Sequence, residues 1–145
     1  HVTPRIPVAA LSGGADLLVD REGILLPSHQ TPHRGRLPLL AGIPEKPESL
    51  HIGYTLRSKS SSEALALIES LHRLPEVSRY VHTIDVSDPD TLSFRTPEGL
   101  EIRVGRGNYE EKLKLFDRTR VTLGDRLGEI KYIDLRFDEP VIGSR

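Results

Sequence analysis

The chain has no cysteine, no methionine and no tryptophan, and only 5% of its residues are aromatic. Without cysteine it has no disulfide framework and no thiolate chemistry, an absence that suits reducing and oxidising compartments equally. No apolar run approaches the roughly 18 residues that a membrane-spanning helix needs. Neither sign of charge dominates: 20 basic residues against 21 acidic ones leave a net charge of −1. The charges are scattered, so the footprint of a nucleic-acid binder and that of a polybasic membrane patch are both missing. Because the chain opens on His1 and lacks methionine, an upstream segment lost by processing or excision is expected, with room for a signal or anchor.

What is present is the composition of a globular domain: 145 residues, 37% hydrophobic and 28% charged. A chain of this length fits one domain and buries about 68–70% of its unfolded surface. Residues 2–10, VTPRIPVAA, read as an extended edge or linker piece interrupted by Pro4 and Pro7. LLVD (17–20) and ILL (24–26) read as a hairpin, with Gly23 supplying the positive φ of its turn. Residues 27–50 read as a long loop pinned by the short apolar stretch Leu37-Pro38-Leu39-Leu40, and HIGYTLR (51–57) as a strand.

Ser60 and Glu63 have the spacing of a capping box, and Ala64, Leu67, Ile68 and Leu71 repeat at helical period until Pro75. Three alternating segments follow. They are RYVHTIDV with Tyr80, His82, Ile84 and Val86, TLSFRT with Leu92, Phe94 and Thr96, and LEIRV with Leu100, Ile102 and Val104. PEG (97–99) turns the last two into a hairpin. A second helix is predicted from Asn108, with Glu110 and Glu111 in its first turn, Arg118 and Arg120 in its last, and a narrow stripe of Tyr109, Leu113 and Phe116. After Gly124 and Gly128, a final strand spans 129–137, with Ile133, Leu135 and Phe137 on one face and Tyr132, Asp134 and Arg136 on the other. This order predicts an α+β fold: a mainly antiparallel sheet with two helices packed on one face. As the last element, strand 129–137 is expected at a sheet edge, with backbone groups free for another chain.

Candidate chemistry is sparse. Gly105-Arg106-Gly107 lies between a strand and a helix, where phosphate-binding loops are built. Position 110, the place of a third glycine, holds Glu110, and Glu111 follows; both repel an anion, so a tight turn is the favoured reading over a phosphate- or nucleotide-binding enzyme loop. His1, His29, His33, His51, His72 and His82 form no metal-ligand pattern, and Pro32 keeps His29 and His33 off a shared helix face. His82 reads as a half-buried, hydrogen-bonded histidine. The run Ser58-Lys59-Ser60-Ser61-Ser62 reads as capping and solvation at a helix start. Asp134 and Arg136 read either as a modest surface ion pair or as a binding pair. No catalytic, cofactor or metal residue is expected.

Several motifs nevertheless stand in a recognisable order: RxPVA (Arg5, Pro7, Val8, Ala9), the LLVD-x-EG hairpin (17–23), LPLLAG (37–42), GLEIRVGRGNYEEKLKLF (99–116) and YIDLRF (132–137). In this series the chain resembles the membrane-distal β domain of the bacterial FtsQ/DivIB cell-division proteins. The resemblance implies a single β domain over 1–145, with residues 1–10 leading from a POTRA domain that this chain lacks. It implies a non-enzymatic divisome scaffold that binds FtsB- and FtsL-type partners and supports septal cell-wall synthesis. It further implies a single-pass inner-membrane protein with this domain on the extracytoplasmic, periplasmic side at the septum, touching the membrane only through an upstream helix and binding no nucleic acid. Partner binding would fall on the C-terminal edge strand, at Tyr132, Asp134, Arg136, Phe137, Asp138 and Glu139. The chain departs from the family pattern at Phe137, where tyrosine is usual, and at Glu139-Pro140, where small residues are usual. Pro4 likewise stands where an acidic residue is common, and no tryptophan follows the strand.

Overall fold

The computed structural model describes residues 5–13, 16–28, 37–88 and 90–145. Within them lie nine strands: β1 (Pro7–Leu11), β2 (Leu17–Asp20), β3 (Leu25–Pro27), β4 (Leu39–Ala41), β5 (Thr83–Asp85), β6 (Leu92–Arg95), β7 (Glu101–Gly105), β8 (Ile130–Asp134) and β9 (Val141–Ser144). The helices are α1 (Lys59–His72), the short α2 (Pro75–Ser78) and α3 (Tyr109–Leu123). All nine strands form one sheet in the order β3-β2-β1-β4-β5-β6-β7-β8-β9.

The sheet is mixed, with antiparallel pairs in the majority. Five neighbouring pairs run antiparallel, but β1–β4, β4–β5 and β7–β8 run parallel. The reason lies in the connections. A helical crossover carries the chain back to the end at which the first strand began, so strands joined across α1–α2 or across α3 point the same way.

Some expectations change. β1 is flanked by β2 and β4, so it is not an edge piece; Pro7 occupies its first residue, where a missing N–H is tolerated. The apolar stretch at 39–41 is a strand, with Leu40 buried and paired with Ile84. Residues 51–57 form no strand beyond a single bridge from Thr55 to Ile24. His82 is exposed, its Nδ1 2.8 Å from Thr83 Oγ1. Pro4, His1, His29, His33 and Pro32 fall outside the described residues.

α1 begins two residues earlier than its predicted capping box. Ser58 is the N-cap, and its hydroxyl accepts a hydrogen bond from the Ser61 amide at 3.0 Å. Glu45 supports this corner by accepting from the Arg57 and Ser58 amides and from the Ser58 and Ser61 hydroxyls, at 3.0–3.1 Å. Burial pushes the Glu45 carboxyl up, but these donors favour its charged form and bring it below its ordinary value.

The helix stripes are read correctly by the sequence. Ala64, Leu67, Ile68 and Leu71 of α1 and Tyr109, Leu113 and Phe116 of α3 share one core with Val19, Leu25, Leu40, Ile84, Phe94, Ile102 and Ile133. Phe94 and Phe116 meet edge to face with centroids 5.5 Å apart. Fully burying one such side chain contributes about 1.5–3 kcal/mol, against about 0–1 for an exposed ion pair such as Arg21–Glu69. The stripe therefore seats α1, and its surface charges do not. A second, small cluster of Ala10, Leu18 and Leu26 stands apart from this core.

Candidate partner-binding edge

The two ends of the sheet are treated differently. At β3, the segment after the short 3-10 turn at Pro47–Ser49 lies along the outer side. The Leu25 amide donates to Tyr54 O at 2.9 Å, Leu25 O accepts from Gly53 at 2.8 Å, and Gly23 O accepts from Leu56 at 2.8 Å. Pro27 then ends the strand without a donor. At the other end lies β9, paired among the described residues with β8 alone: Ile133 with Ile142, Asp134 with Val141, Tyr132 with Gly143 and Ile130 with Ser144.

This pairing corrects the sequence reading of YIDLRF. Its strand ends at Asp134 and has neighbours on both sides, β7 in parallel and β9 antiparallel. The edge position belongs to β9, whose Val141 and Ile142 are 44% and 40% exposed. These residues escaped the sequence reading because four residues, VIGS, after Pro140 carry no alternation. The apolar pair Val141-Ile142 was the available signal.

The six residues expected to bind a partner fall into two groups. Tyr132 and Asp134 share one face of β8, while Arg136, Phe137, Asp138 and Glu139 are exposed in the turn that joins β8 to β9. The ring of Tyr132 lies across Gly143 and under the guanidinium of Arg103, which sits 3.9 Å from the ring centroid. Such a stacked cation is attracted by the ring's negative face.

Asp134 is only 3% exposed, so its ion pair is not the surface feature that spacing alone suggested. Arg136 folds back on it: the backbone amide and Nε donate to Oδ1 at 3.0 and 2.9 Å, and Nη2 donates to Oδ2. Arg103 Nη1 stands 4.0 Å from the same carboxylate, and Arg136 Nη1 reaches Thr91 Oγ1 at 3.2 Å. The bonds from Arg136 hold the Asp134 carboxyl below its ordinary range, against the opposing effect of burial. Phe137, fixed beside this cluster, is 57% exposed, its centroid 5.7 Å from the Arg136 guanidinium.

The glycine-rich turn has a use in this arrangement. Gly105 has φ +74°, and a Cβ there would come within 2.9 Å of Arg136 Cγ. Its missing side chain leaves the space through which Arg136 reaches Asp134. The turn's carbonyls face a lysine: Lys112 Nζ donates to Val104 O at 2.7 Å and to Arg106 O at 3.2 Å, and burial lowers its pKa. Glu110, in the first turn of α3, pairs with Arg73 at 2.7 Å. The loop thus binds a cation with its oxygens and offers an anion little. Among the described residues no group of three His, Asp or Glu side chains is placed to hold a metal ion.

The motifs also meet one another at the start of the chain. Arg5 of RxPVA donates to Asp20 of LLVD at 2.8 Å, and Asp20 Oδ1 accepts from the Glu22 and Ile24 amides at 2.9 Å. A mixed sheet built from these joined motifs, with α1 and α3 between its strands, defines a compact α+β domain. The family model of the C-terminal region of the cell-division protein FtsQ/DivIB matches residues 9–136. The chain belongs to the FtsQ/DivIB family, and its role lies in cell division. No curated protein matches it. The family match stops just short of β9.

Proposed function

We propose that this domain is the extracytoplasmic part of a non-enzymatic division scaffold, and that it takes up a strand from an FtsB- or FtsL-type partner along β9. The single observation that carries the reading is the asymmetry of the sheet. One edge is hydrogen-bonded to its own chain, and the other carries the exposed Val141 and Ile142 beside an exposed Phe137. Strand addition satisfies the unpaired backbone groups of such an edge, and flanking side chains select the partner. Tyr132 and Asp134 act by holding β9 and the turn in place. Arg136, Phe137, Asp138 and Glu139 meet the partner at the turn. An upstream membrane helix would tether the domain to the cytoplasmic membrane at the septum, where partner binding supports septal wall synthesis.

The test is amide hydrogen exchange with the extracytoplasmic segment of the FtsB-type protein from the same genome. Saturating segment should slow exchange at residues 141–144 while the core amides stay as they were. Protection that maps to β3 or to the helices, with β9 unchanged, would reject the edge.

A further inference from the structure

We infer that the edge site extends past the end of β9 into an apolar slot that receives one large hydrophobic side chain of the partner strand; this rests on the edge reading. The slot, of about 240 Å³, is lined by Tyr80, Leu100, Phe116, Leu127 and Ile130, with Gly128 and Arg145 also on its wall. Small-molecule pockets usually hold about 300–1,000 Å³, so this one is the size of a side chain rather than of a free ligand.

Its walls are already rigid. Phe116 and Ile130 belong to the core, Tyr80 meets Phe116 edge to face at 6.2 Å, and Arg120 lies 4.5 Å over the outer ring of Tyr80. Arg120 is itself held by Asp117 at 2.8 Å. An aromatic floor with a guanidinium fixed across it favours an apolar or aromatic occupant.

The slot is continuous with the edge. Ser144 pairs with Ile130, the Arg145 amide then donates to Glu129 O at 3.0 Å, and Ile130 and Arg145 both line the slot. Phe137 stands near the other end of β9. At roughly 3.4 Å per residue, an added strand of five or six residues spans both. The partner is therefore an extended segment with an apolar side chain at its slot end, anchored at two points rather than one.

Gly128 supplies the test. Its φ is not in the left-handed region, and a Cβ there meets nothing within 4 Å, so a side chain can start from this position without a clash. Gly128→Trp should fill the slot, keep the melting temperature, and weaken the same partner segment by about tenfold or more. Gly128→Leu should do so to a smaller degree. Replacing the partner's slot residue by alanine should cost a similar factor in the wild type and little more in Gly128→Trp. Unchanged affinity in Gly128→Trp, with residues 141–144 still protected on binding, would overturn the slot and leave the edge standing. No protection of 141–144 in the wild type would overturn both.

Discussion

The ring of Tyr132 occupies the space where residue 143 would carry a side chain: a Cβ at Gly143 would collide with Tyr132 Cε2. The ring thus takes a place against the edge strand that only glycine admits, and the Arg103 guanidinium stacks on the same ring.

Gly143→Ala should therefore displace Tyr132 and loosen β9. Overpacking of this kind costs about 1–3 kcal/mol. Denaturant titration should show the loss, and hydrogen exchange should place it at residues 141–144 first. Adding Tyr132→Ala to Gly143→Ala should restore part of it, because the clash is gone. A Gly143→Ala protein as stable as the wild type would show that the ring can move aside freely.

Phe137 is an exposed side chain with no share in the core. Phe137→Ala should leave the melting temperature nearly unchanged and weaken the partner segment by about 2 kcal/mol, as loss of an interface anchor does. Calorimetric titration with parallel melting curves measures both. Equal affinity would remove Phe137 from the contact surface.

The Asp134 carboxyl has a folded pKa below its ordinary 3.8. A carboxylate of that kind stabilises the fold fully above the unfolded pKa, and the contribution is lost as pH falls through the folded value. Asp134→Asn should accordingly flatten the decline of stability below about pH 4, measured by urea titration at a series of pH values. The two proteins should differ most near neutrality and converge in acid. A parallel decline in both would mean that Asp134 does not contribute to the acid transition.

The two serines at the start of α1 separate the observed cap from the one that spacing suggested. Ser58→Ala should cost about 1 kcal/mol, within the usual range for a lost N-cap. Ser60→Ala, inside the first turn, should change stability little. Thermal denaturation of both variants decides it, and a larger loss at Ser60 would restore the later helix start.

Legibility of the fold in the sequence followed the local strength of the pattern. β6, β7 and the stripes of α1 and α3 were readable because each buries several residues at its own period, from Leu92 and Phe94 to Tyr109, Leu113 and Phe116. β4 was not, because a three-residue parallel strand beside Pro38 shows no alternation and gains its stability from β1 and β5. HIGYTLR misled in the opposite direction. Its alternation is genuine, but Ile52 is 61% exposed and the segment serves as a cover for β3. At the candidate end of the sheet, YIDLRF was read as the edge strand, whereas the edge is β9. Ion-pair spacing gave Asp134 and Arg136, but the burial of Asp134 is a product of tertiary packing, and the only signal of β9 was the apolar pair Val141-Ile142.

The closed edge at β3 also limits how copies of this domain can associate. Open-ended growth by strand pairing needs two free edges on each copy, so that every addition leaves another. Here the backbone bonds from 53–56 and the missing donor of Pro27 take one edge out of play. Two copies meeting β9 to β9 would form a closed twofold pair and stop. A domain with one closed edge can therefore leave the other unsatisfied without the hazard of forming fibres.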